Sequence, residues 1–172
     1  MHDRIYIHQG DITRYRADAI VNAANKSLLG GGGVDGAIHR AAGSDLVKEC
    51  MTLGGCDTGF AKLTKGYNLI SPFIIHTVGP IWKGGNNDEQ SLLASCYLNS
   101  LKIANDNLFH TIAFPNISTG IYGFPKLEAA DIAIKTVIDF LVENNYPVKV
   151  TFVVFDEDNL HIYERLIRNR LG

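Results

Sequence analysis

The chain of 172 residues has little of what marks secreted, membrane-spanning or DNA-binding proteins. Its three cysteines are odd in number and lack C-x-x-C spacing, so no disulfide framework or zinc motif is evident. The most apolar run, 73–82, is too short to cross a bilayer, and the first residues begin no apolar leader. Lysine and arginine form no block and the net charge is −2, which gives no support for nucleic-acid binding. We therefore expect reduced thiols, a cytoplasmic location and no membrane partner.

Strand-like and helix-like segments alternate along the chain, and several of the strand-like segments are apolar throughout. Such runs are typical of parallel strands that are buried on both faces of a sheet. The alternation predicts an α/β fold, a three-layer α/β/α sandwich with a largely parallel sheet, and a single domain over residues 1–172. Strands are expected at 5–8, 19–22, 61–67, 73–78, 111–114 and 148–155.

Helices are predicted from apolar residues at steps of three and four, and from residues that end or begin a helix. Gly43 should end a helix over 34–42, and Ser44 or Asp45 should cap the next one, which runs to about Met51. A later helix should begin near Pro125. Its expected buried face consists of Leu127, Ala130, Ile134, Val137 and Leu141.

The segment 22–40 is the most informative part of the chain, because four consecutive glycines separate a predicted strand from a predicted helix. Glycines let a ligand approach the backbone closely and leave its N–H groups exposed. A loop of this kind at a helix N-terminus is suited to phosphate. Asn25 and Asp35 flank the glycines, and we expect both to project into one cavity. A phosphate cradle beside a carboxylate indicates chemistry on a nucleotide-like ligand.

Other interpretations of the same glycines are weaker. The run 31–36 matches the dinucleotide pattern G-x-G-x-x-G, but eight residues separate it from the preceding strand, and the chain is short for a second, substrate-binding domain. The phosphate-loop pattern that ends in Gly-Lys-Ser/Thr is missing from the sequence. A purely structural glycine loop remains a further alternative.

A second polar loop, 116–123, connects a predicted strand to the helix near Pro125. Its amides and hydroxyls over 118–121 could grip a diphosphate from the opposite side, although an ordinary strand-to-helix turn explains the same residues. Ser118 does not fit a nucleophile elbow, because Asn116 replaces the required glycine.

Single polar residues elsewhere have plain structural explanations. Asp11 could cap a helical turn, or accept a hydrogen bond from the exocyclic amine of adenine while the amide of Ile12 donates to a ring nitrogen. Asp35 and His39 are four residues apart, which would suit two metal ligands, but no third ligand is near in sequence. We expect an ordinary contact between them and no metal. The remaining histidines should be packed or solvated rather than catalytic; they are His8, His76, His110 and His161.

Together these segments resemble a macrodomain, and more narrowly the MacroD-like bacterial O-acetyl-ADP-ribose deacetylases. The resemblance rests on Gly-Asp-Ile at 10–12, Asn-Ala-Ala-Asn at 22–25, the glycine loop through His39, and Ser-Thr-Gly-Ile-Tyr-Gly at 118–123. It extends from Ile5 to about Leu166 and includes 76–80 and 155–157. It implies a mixed central sheet and an ADP-ribose cleft at the strand ends.

The resemblance also implies a role for each part of the site. Asp11 and Ile12 would hold adenine, and the two loops would wrap the diphosphate and the distal ribose. Asp35 would accept a proton from water at that ribose, beside Asn25. No cofactor is implied. The ligand-binding residues would be Asp11, Ile12, Asn22, Gly32, Gly33, Val34, Ser118, Thr119, Gly120, Ile121 and Tyr122.

Three functions remain to be compared. The favoured one is a hydrolase that deacetylates O-acetyl-ADP-ribose, with removal of mono-ADP-ribose from acidic protein side chains as a related reaction. The second is a non-catalytic module that binds ADP-ribose or ADP-ribosylated proteins, which would need the loops but not the carboxylate with its amide. The third is an NAD-dependent oxidoreductase, which would change nicotinamide fluorescence. Asn25 and Asp35 favour the hydrolase.

Overall fold

A six-stranded sheet forms the centre of the protein. A computed structural model describes residues 2–172, except for the side chain of His2. The strands are β1 (Ile5–Gln9), β2 (Ala19–Ala24), β3 (Ala61–Lys65), β4 (Phe73–Val78), β5 (Thr111–Phe114) and β6 (Lys149–Val154). Their order across the sheet is β1-β6-β5-β2-β4-β3. Every neighbouring pair is parallel except β3 and β4, so the predicted mixed, largely parallel sheet is confirmed.

Five α-helices within residues 2–172 cover the two faces of this sheet. They are α1 (Gly33–Ala42), α2 (Ser44–Met51), α3 (Glu89–Asp106), α4 (Lys126–Glu143) and α5 (Glu157–Leu171). One apolar cluster contains buried residues of α1 and α2, and the other contains those of α3, α4 and α5. The protein is therefore the expected three-layer α/β/α sandwich.

The strands supply both clusters, because successive side chains point to opposite faces of a sheet. Ile20 and Ile74 pack with α1 and α2, whereas Val21 and Ile75 pack on the other face. All four are at most 1% exposed. This burial on both faces explains why the central strands are apolar throughout.

Some predicted boundaries were wrong. Neither Ser44 nor Asp45 caps α2, because α2 already begins at Ser44 and Gly43, with φ +90°, occupies the cap position. Leu127 is 47% exposed, because it lies in the first turn of α4 and the buried positions of that helix begin at Ala129.

Strand ends also differ from the expected ones. The strand predicted to reach residue 67 ends at Lys65, and Tyr67 adopts φ +51° outside the ladder. The strand predicted over 148–155 spans Lys149–Val154, and Val148 and Phe155 are both exposed. The prediction for 19–22 was short by two residues, since β2 continues to Ala24.

No helix within residues 2–172 has both the length and the apolar character that crossing a membrane requires.

Candidate active site

A cleft of about 870 Å³ opens at the carboxyl ends of the parallel strands. This volume lies in the range of sites for small molecules and cofactors. The segments that line the cleft directly follow β1, β2, β4, β5 and β6, which are five neighbouring strands of the sheet. Every residue of the sequence-predicted site lines the cleft except Asn22. The fold thus brings together two loops that are more than 80 residues apart in the sequence.

Asn25 organises the glycine loop from within. Its Oδ1 accepts from the amide of Ser27 at 3.1 Å and from the amide of Leu28 at 3.2 Å. Its Nδ2 donates to the carbonyl of Gly30 at 2.9 Å. A side-chain amide carries two N–H donors, so these contacts leave one of them for a ligand. Asn25 therefore has a structural role in addition to the ribose contact expected from sequence.

The N-terminus of α1 faces the open cleft. Gly32 is its cap residue and provides no side-chain hydrogen bond, so the first amides of the helix are not capped. Gly33 has φ +58°, a conformation that favours glycine. A Cβ added to Gly32 or Gly33 would meet no atom within 4 Å, because both positions border open space. Uncapped amides and the helix dipole make this end of α1 suitable for a phosphate.

Asp35 lies at the base of the cleft, near the side chain of Asn25. It is 4% exposed, and its Oδ1 accepts from Asn22 Nδ2 at 2.9 Å. A Cβ added to Gly31 would lie 3.1 Å from Asp35 Oδ2 and 3.2 Å from Asn25 Nδ2. The carboxylate and the amide thus converge on Gly31, and a side chain there would crowd both of them.

Asn22 does not take the ligand-binding position expected from sequence. It is fully buried behind Asp35 and does not line the cleft. Its Nδ2 donates to Asp35 and also lies 3.1 Å from His76 Nδ1. The physical reason is its position inside β2, where its side chain points into the sheet–helix interface rather than out of the strand end.

The expected contact between Asp35 and His39 is present. His39 Nε2 lies 3.4 Å from Asp35 Oδ1 on successive turns of α1. Among residues 2–172, no group of three or more histidine, cysteine, aspartate or glutamate side chains is arranged to hold a metal ion.

The loop between β5 and α4 forms the opposite wall of the cleft. Ser118 has φ +66°, and its Oγ is buried without a hydrogen-bond partner among the described residues. The loop is closed by bonds from the Phe124 amide to the Ser118 carbonyl at 2.9 Å and from the Gly123 amide to the Gly120 carbonyl at 3.0 Å. Ile121 is 98% exposed at the rim. A buried hydroxyl with no partner is costly unless a ligand or water satisfies it.

Asp11 caps the 3-10 turn Ile12–Arg14, as one of the two sequence interpretations predicted. Its Oδ1 accepts from the Thr13 hydroxyl at 2.7 Å and from the Thr13 amide at 2.9 Å. The bond from the Thr13 hydroxyl is the main cause that lowers the pKa of Asp11. Its second carboxylate oxygen is left for a donor in the cleft, so the capping role and the proposed adenine contact are compatible.

Sequence reasoning assigned no role in the site to several residues at the β6 end of the cleft. Phe155 is 80% exposed and lines the cleft beside Asp156 and Asn159. Asp156 caps α5 by accepting from the Asn159 amide at 2.8 Å. Asn159 in turn accepts from Asn116 Nδ2 at 3.2 Å, which links α5 to the β5–α4 loop. The available signal was an aromatic residue at the end of a buried strand, because the sequence pattern extends the predicted strand through Phe155.

The β5–α4 loop is supported from outside the cleft by a second loop, 81–88, which precedes α3. The Trp82 amide donates to the Tyr122 carbonyl at 2.8 Å, and the Trp82 ring lies 4.7 Å from the Phe124 ring. Glu89 is buried and accepts from the amides of Lys83, Gly85 and Asn87 at 2.8, 2.9 and 2.6 Å. Glu89 therefore holds the loop 81–88 in place, and that loop in turn supports the β5–α4 loop that forms one wall of the cleft.

We predict that Glu89→Gln lowers the melting temperature at pH 7, since an amide nitrogen cannot accept these N–H groups. Burial raises the pKa of Glu89, but hydrogen bonds from the backbone amides of Lys83, Gly85 and Asn87, and from its own amide, outweigh it and lower the pKa to about 2. The stabilisation is therefore complete above about pH 4.5, the ordinary value, and is lost as the pH falls through about 2.

Thermal unfolding at several pH values measures this effect. The difference between Glu89→Gln and the wild type should shrink steadily from pH 5 downward. Glu143→Gln, which changes an exposed acid at the end of α4, is the control and should not show this pattern. A constant difference from pH 7 to pH 2.5 would contradict the assignment.

Comparison with known proteins agrees with this fold and cleft. The Macro domain family model matches residues 21–133. The chain is 57% identical to the Macro domain-containing protein CT2219 of Chlorobaculum tepidum, over 97% of this chain and 98% of that protein. It is 51% identical to the O-acetyl-ADP-ribose deacetylase of Escherichia coli K12, over 97% of each. The chain belongs to the macro domain family.

Solved structures with the same fold hold nucleotide ligands. The Oceanobacillus iheyensis macrodomain with ADP superposes with a TM-score of 0.91 at 46% identity, covering 98% of this chain and 93% of that one. The Trypanosoma brucei macrodomain in complex with ADP-ribose gives a TM-score of 0.90 at 43% identity, covering 95% of this chain and 69% of that one.

Proposed function

We propose that this protein is a hydrolase that binds ADP-ribose and removes the acetyl group from O-acetyl-ADP-ribose. The observation that carries the proposal is the convergence of Asp35 Oδ2 and Asn25 Nδ2 on Gly31, at the base of a cleft between the glycine loop and the β5–α4 loop. A module that only binds ADP-ribose needs the loops but has no use for a carboxylate at that place. The deacetylase relatives and the ADP and ADP-ribose complexes of the neighbouring structures support the same proposal.

The ligand is proposed to lie along the cleft with its adenine at the β1–β6 end. Asp11 and the amide of Ile12 hold the base. The uncapped amides of α1, with Gly32, Gly33 and Val34, hold the diphosphate from one side. The β5–α4 loop holds the diphosphate and the distal ribose from the other side, through Ser118, Thr119, Gly120, Ile121 and Tyr122. Backbone amides supply most of the donors, which suits a doubly charged ligand in a protein of net charge −2.

The reaction at the distal ribose is ester hydrolysis. Asp35 takes one proton from a water molecule as the water oxygen bonds to the acetyl carbonyl carbon. The bond from that carbon to the ribose oxygen then breaks, and the ribose oxygen recovers the proton from Asp35. The products are ADP-ribose and acetic acid, which releases its proton to solvent to become acetate, and Asp35 is regenerated. Asn25 contributes orientation, because its remaining N–H holds the ribose at a fixed angle.

Removal of mono-ADP-ribose from acidic protein side chains is proposed as a second reaction of the same site. The bond is again an ester to the distal ribose, so water, Asp35 and Asn25 would act in the same way. A cytoplasmic site of action is proposed with it, supported by the three cysteines, all of which are free thiols. The organisation of residues 1–172 as a single domain stays a prediction.

The test is to incubate the protein in ¹⁸O-labelled water with O-acetyl-ADP-ribose and, separately, with a protein mono-ADP-ribosylated on glutamate. Mass spectrometry should find acetate that carries one ¹⁸O, because water attacks the acyl carbon. Label in the ribose instead of the acetate would contradict the proposed attack. Release from neither substrate, with ADP-ribose bound in calorimetry, would show a binding module in place of an enzyme.

A further inference from the structure

We propose that His76 on β4, held by Thr64 on β3, is a positioning residue that fixes the Asn22 amide and, through it, the orientation of Asp35. The proposal rests on the hydrolase function proposed above. Neither His76 nor Thr64 lines the cleft. Both are buried, at 0% and 2% exposure.

The register of the sheet places these side chains in one row. Asn22 and His76 are directly paired on the parallel strands β2 and β4. Thr64 is paired with Ile74, two residues before His76 and therefore on the same face of the sheet. Thr64 Oγ1 lies 2.8 Å from His76 Nε2, His76 Nδ1 lies 3.1 Å from Asn22 Nδ2, and Asn22 Nδ2 lies 2.9 Å from Asp35 Oδ1. The row leads from β3 to the helix that carries Asp35.

The direction of every hydrogen bond in this row follows from its two ends. An ionised carboxylate only accepts, so the Asn22 atom facing Asp35 must be the nitrogen. The same nitrogen faces His76 Nδ1, which must therefore be bare and accept its second N–H. The proton of the neutral ring is then on Nε2 and is donated to Thr64 Oγ1. The Thr64 hydroxyl donates onward to the Lys65 carbonyl at 3.1 Å.

Burial keeps the His76 ring neutral, as this arrangement requires. Burial, and then the neighbouring His39, lower the pKa of His76 to about 3. A protonated ring would present N–H groups on both nitrogens and would oppose the Asn22 amide. The Lys65 carbonyl at the other end of the row can only accept a hydrogen bond. The Asp35 carboxylate at one end and this carbonyl at the other therefore both determine where the protons lie.

Asn22 needs this support because its oxygen provides none. Asn22 Oδ1 is buried and has no hydrogen-bond partner among the described residues. The amide is therefore held only through its nitrogen, by Asp35 and His76. If His76 Nδ1 could not accept the Asn22 N–H, the Asn22 amide could rotate. Its oxygen would then face the Asp35 carboxylate, and repulsion between the two would displace the carboxylate. With the amide fixed, Asp35 Oδ1 is occupied and Oδ2, beside Gly31, is the oxygen left for the reacting water.

The kinetic test compares two threonines buried in adjacent strands. Thr64→Val keeps the shape of the side chain but removes the acceptor of the His76 Nε2 proton, and should lower kcat about tenfold, the equivalent of one hydrogen bond of about 1.4 kcal/mol. The affinity for ADP-ribose should change less than about twofold. Thr64→Ser restores the hydroxyl and should recover kcat. Thr77→Val is the control, because the Thr77 hydroxyl bonds the Phe60 carbonyl at 2.8 Å, outside this row.

Variants of His76 itself separate packing from hydrogen bonding. His76→Leu removes the acceptor and should lower kcat at least about tenfold. His76→Asn can place an oxygen where Nδ1 stood and should retain more activity. Equal loss in Thr64→Val and Thr77→Val, or no recovery in Thr64→Ser, would overturn the positioning role.

A spectroscopic measurement tests the row without any turnover. Long-range ¹H–¹⁵N spectra of the wild-type protein with labelled histidine should show His76 as a neutral ring, protonated on Nε2, from pH 8 to pH 5. His76→Asn assigns the signals. A ring protonated on Nδ1, or one that titrates in this range, would overturn the inference even if the enzyme is active. If the wild type released no acetate, the proposed function would fail, and the tautomer would still decide whether the row exists.

Discussion

Asp35→Asn is expected to lower kcat for acetate release by about 10²- to 10⁴-fold, the range typical of a lost general base. The substitution is isosteric, and its Oδ1 can still accept from Asn22, so the side chain should keep its position. Affinity for ADP-ribose should remain close to that of the wild type, because the diphosphate contacts come from other residues. Single-turnover kinetics and calorimetry on the same preparations measure the two quantities.

A second carboxylate in the same cleft provides the comparison. Asp11 lies at the adenine end, and Asp11→Asn should raise KM while leaving kcat within a few-fold of the wild type. Comparing Asp11→Asn with Asp35→Asn separates the effect of removing a negative charge from the cleft from the effect of removing the proton acceptor. If Asp35→Asn retained a tenth or more of the wild-type kcat, Asp35 would not be the base.

Gly79→Ala is expected to weaken ADP-ribose binding at least about tenfold, or about 1.4 kcal/mol. Gly79 follows β4, and the β5–α4 loop crosses directly over it. An added Cβ would overlap Ser118 Oγ and would lie 2.7 Å from Ile117 Cγ2. The loop must move away from the cleft, which also costs about 1–3 kcal/mol of stability as overpacking strain. Calorimetry and thermal unfolding measure the two effects.

Ser118 allows the steric cause to be tested. The double change Gly79→Ala with Ser118→Ala removes the overlapping oxygen and should recover part of the lost stability. Ser118→Ala alone should leave the stability nearly unchanged, because Ser118 Oγ has no hydrogen-bond partner among the described residues. A double variant no more stable than Gly79→Ala would rule out this overlap as the cause.

The central strands could be predicted from the sequence, because burial on both faces of the sheet favours apolar residues at successive positions. Ile20, Val21, Ile74 and Ile75 are buried on two faces of the sheet, and that demand leaves an unbroken apolar run that is readable without a structure. Helix ends were less predictable. Ser44 fits a cap by composition, but Gly43 occupies the cap position and Ser44 is already the first residue of α2.

The loops that line the cleft could be predicted from the sequence, but the buried residues that support Asp35 from behind could not. The glycine loop and the Ser118 loop each carry local patterns that indicate anion binding. His76 carries none, because its partners Asn22 and Thr64 lie 54 and 12 residues away and are determined by strand register. Gly79 belongs to the 76–80 segment of the resemblance, but its need for a bare Cα depends on a loop nearly forty residues later and is not visible in the local sequence.

The position of Trp82 makes its intrinsic fluorescence a probe of the cleft wall. It is the chain's single tryptophan, so its ultraviolet emission can be selected without interference from a second indole. Its ring lies 4.7 Å from the Phe124 ring at a tilt of 54°, and its amide donates to the Tyr122 carbonyl of the loop proposed to hold the diphosphate. A ligand that shifts this loop would change the polarity around the indole, and a change in Trp82 emission on titration with ADP-ribose would then report occupancy of the cleft without a label.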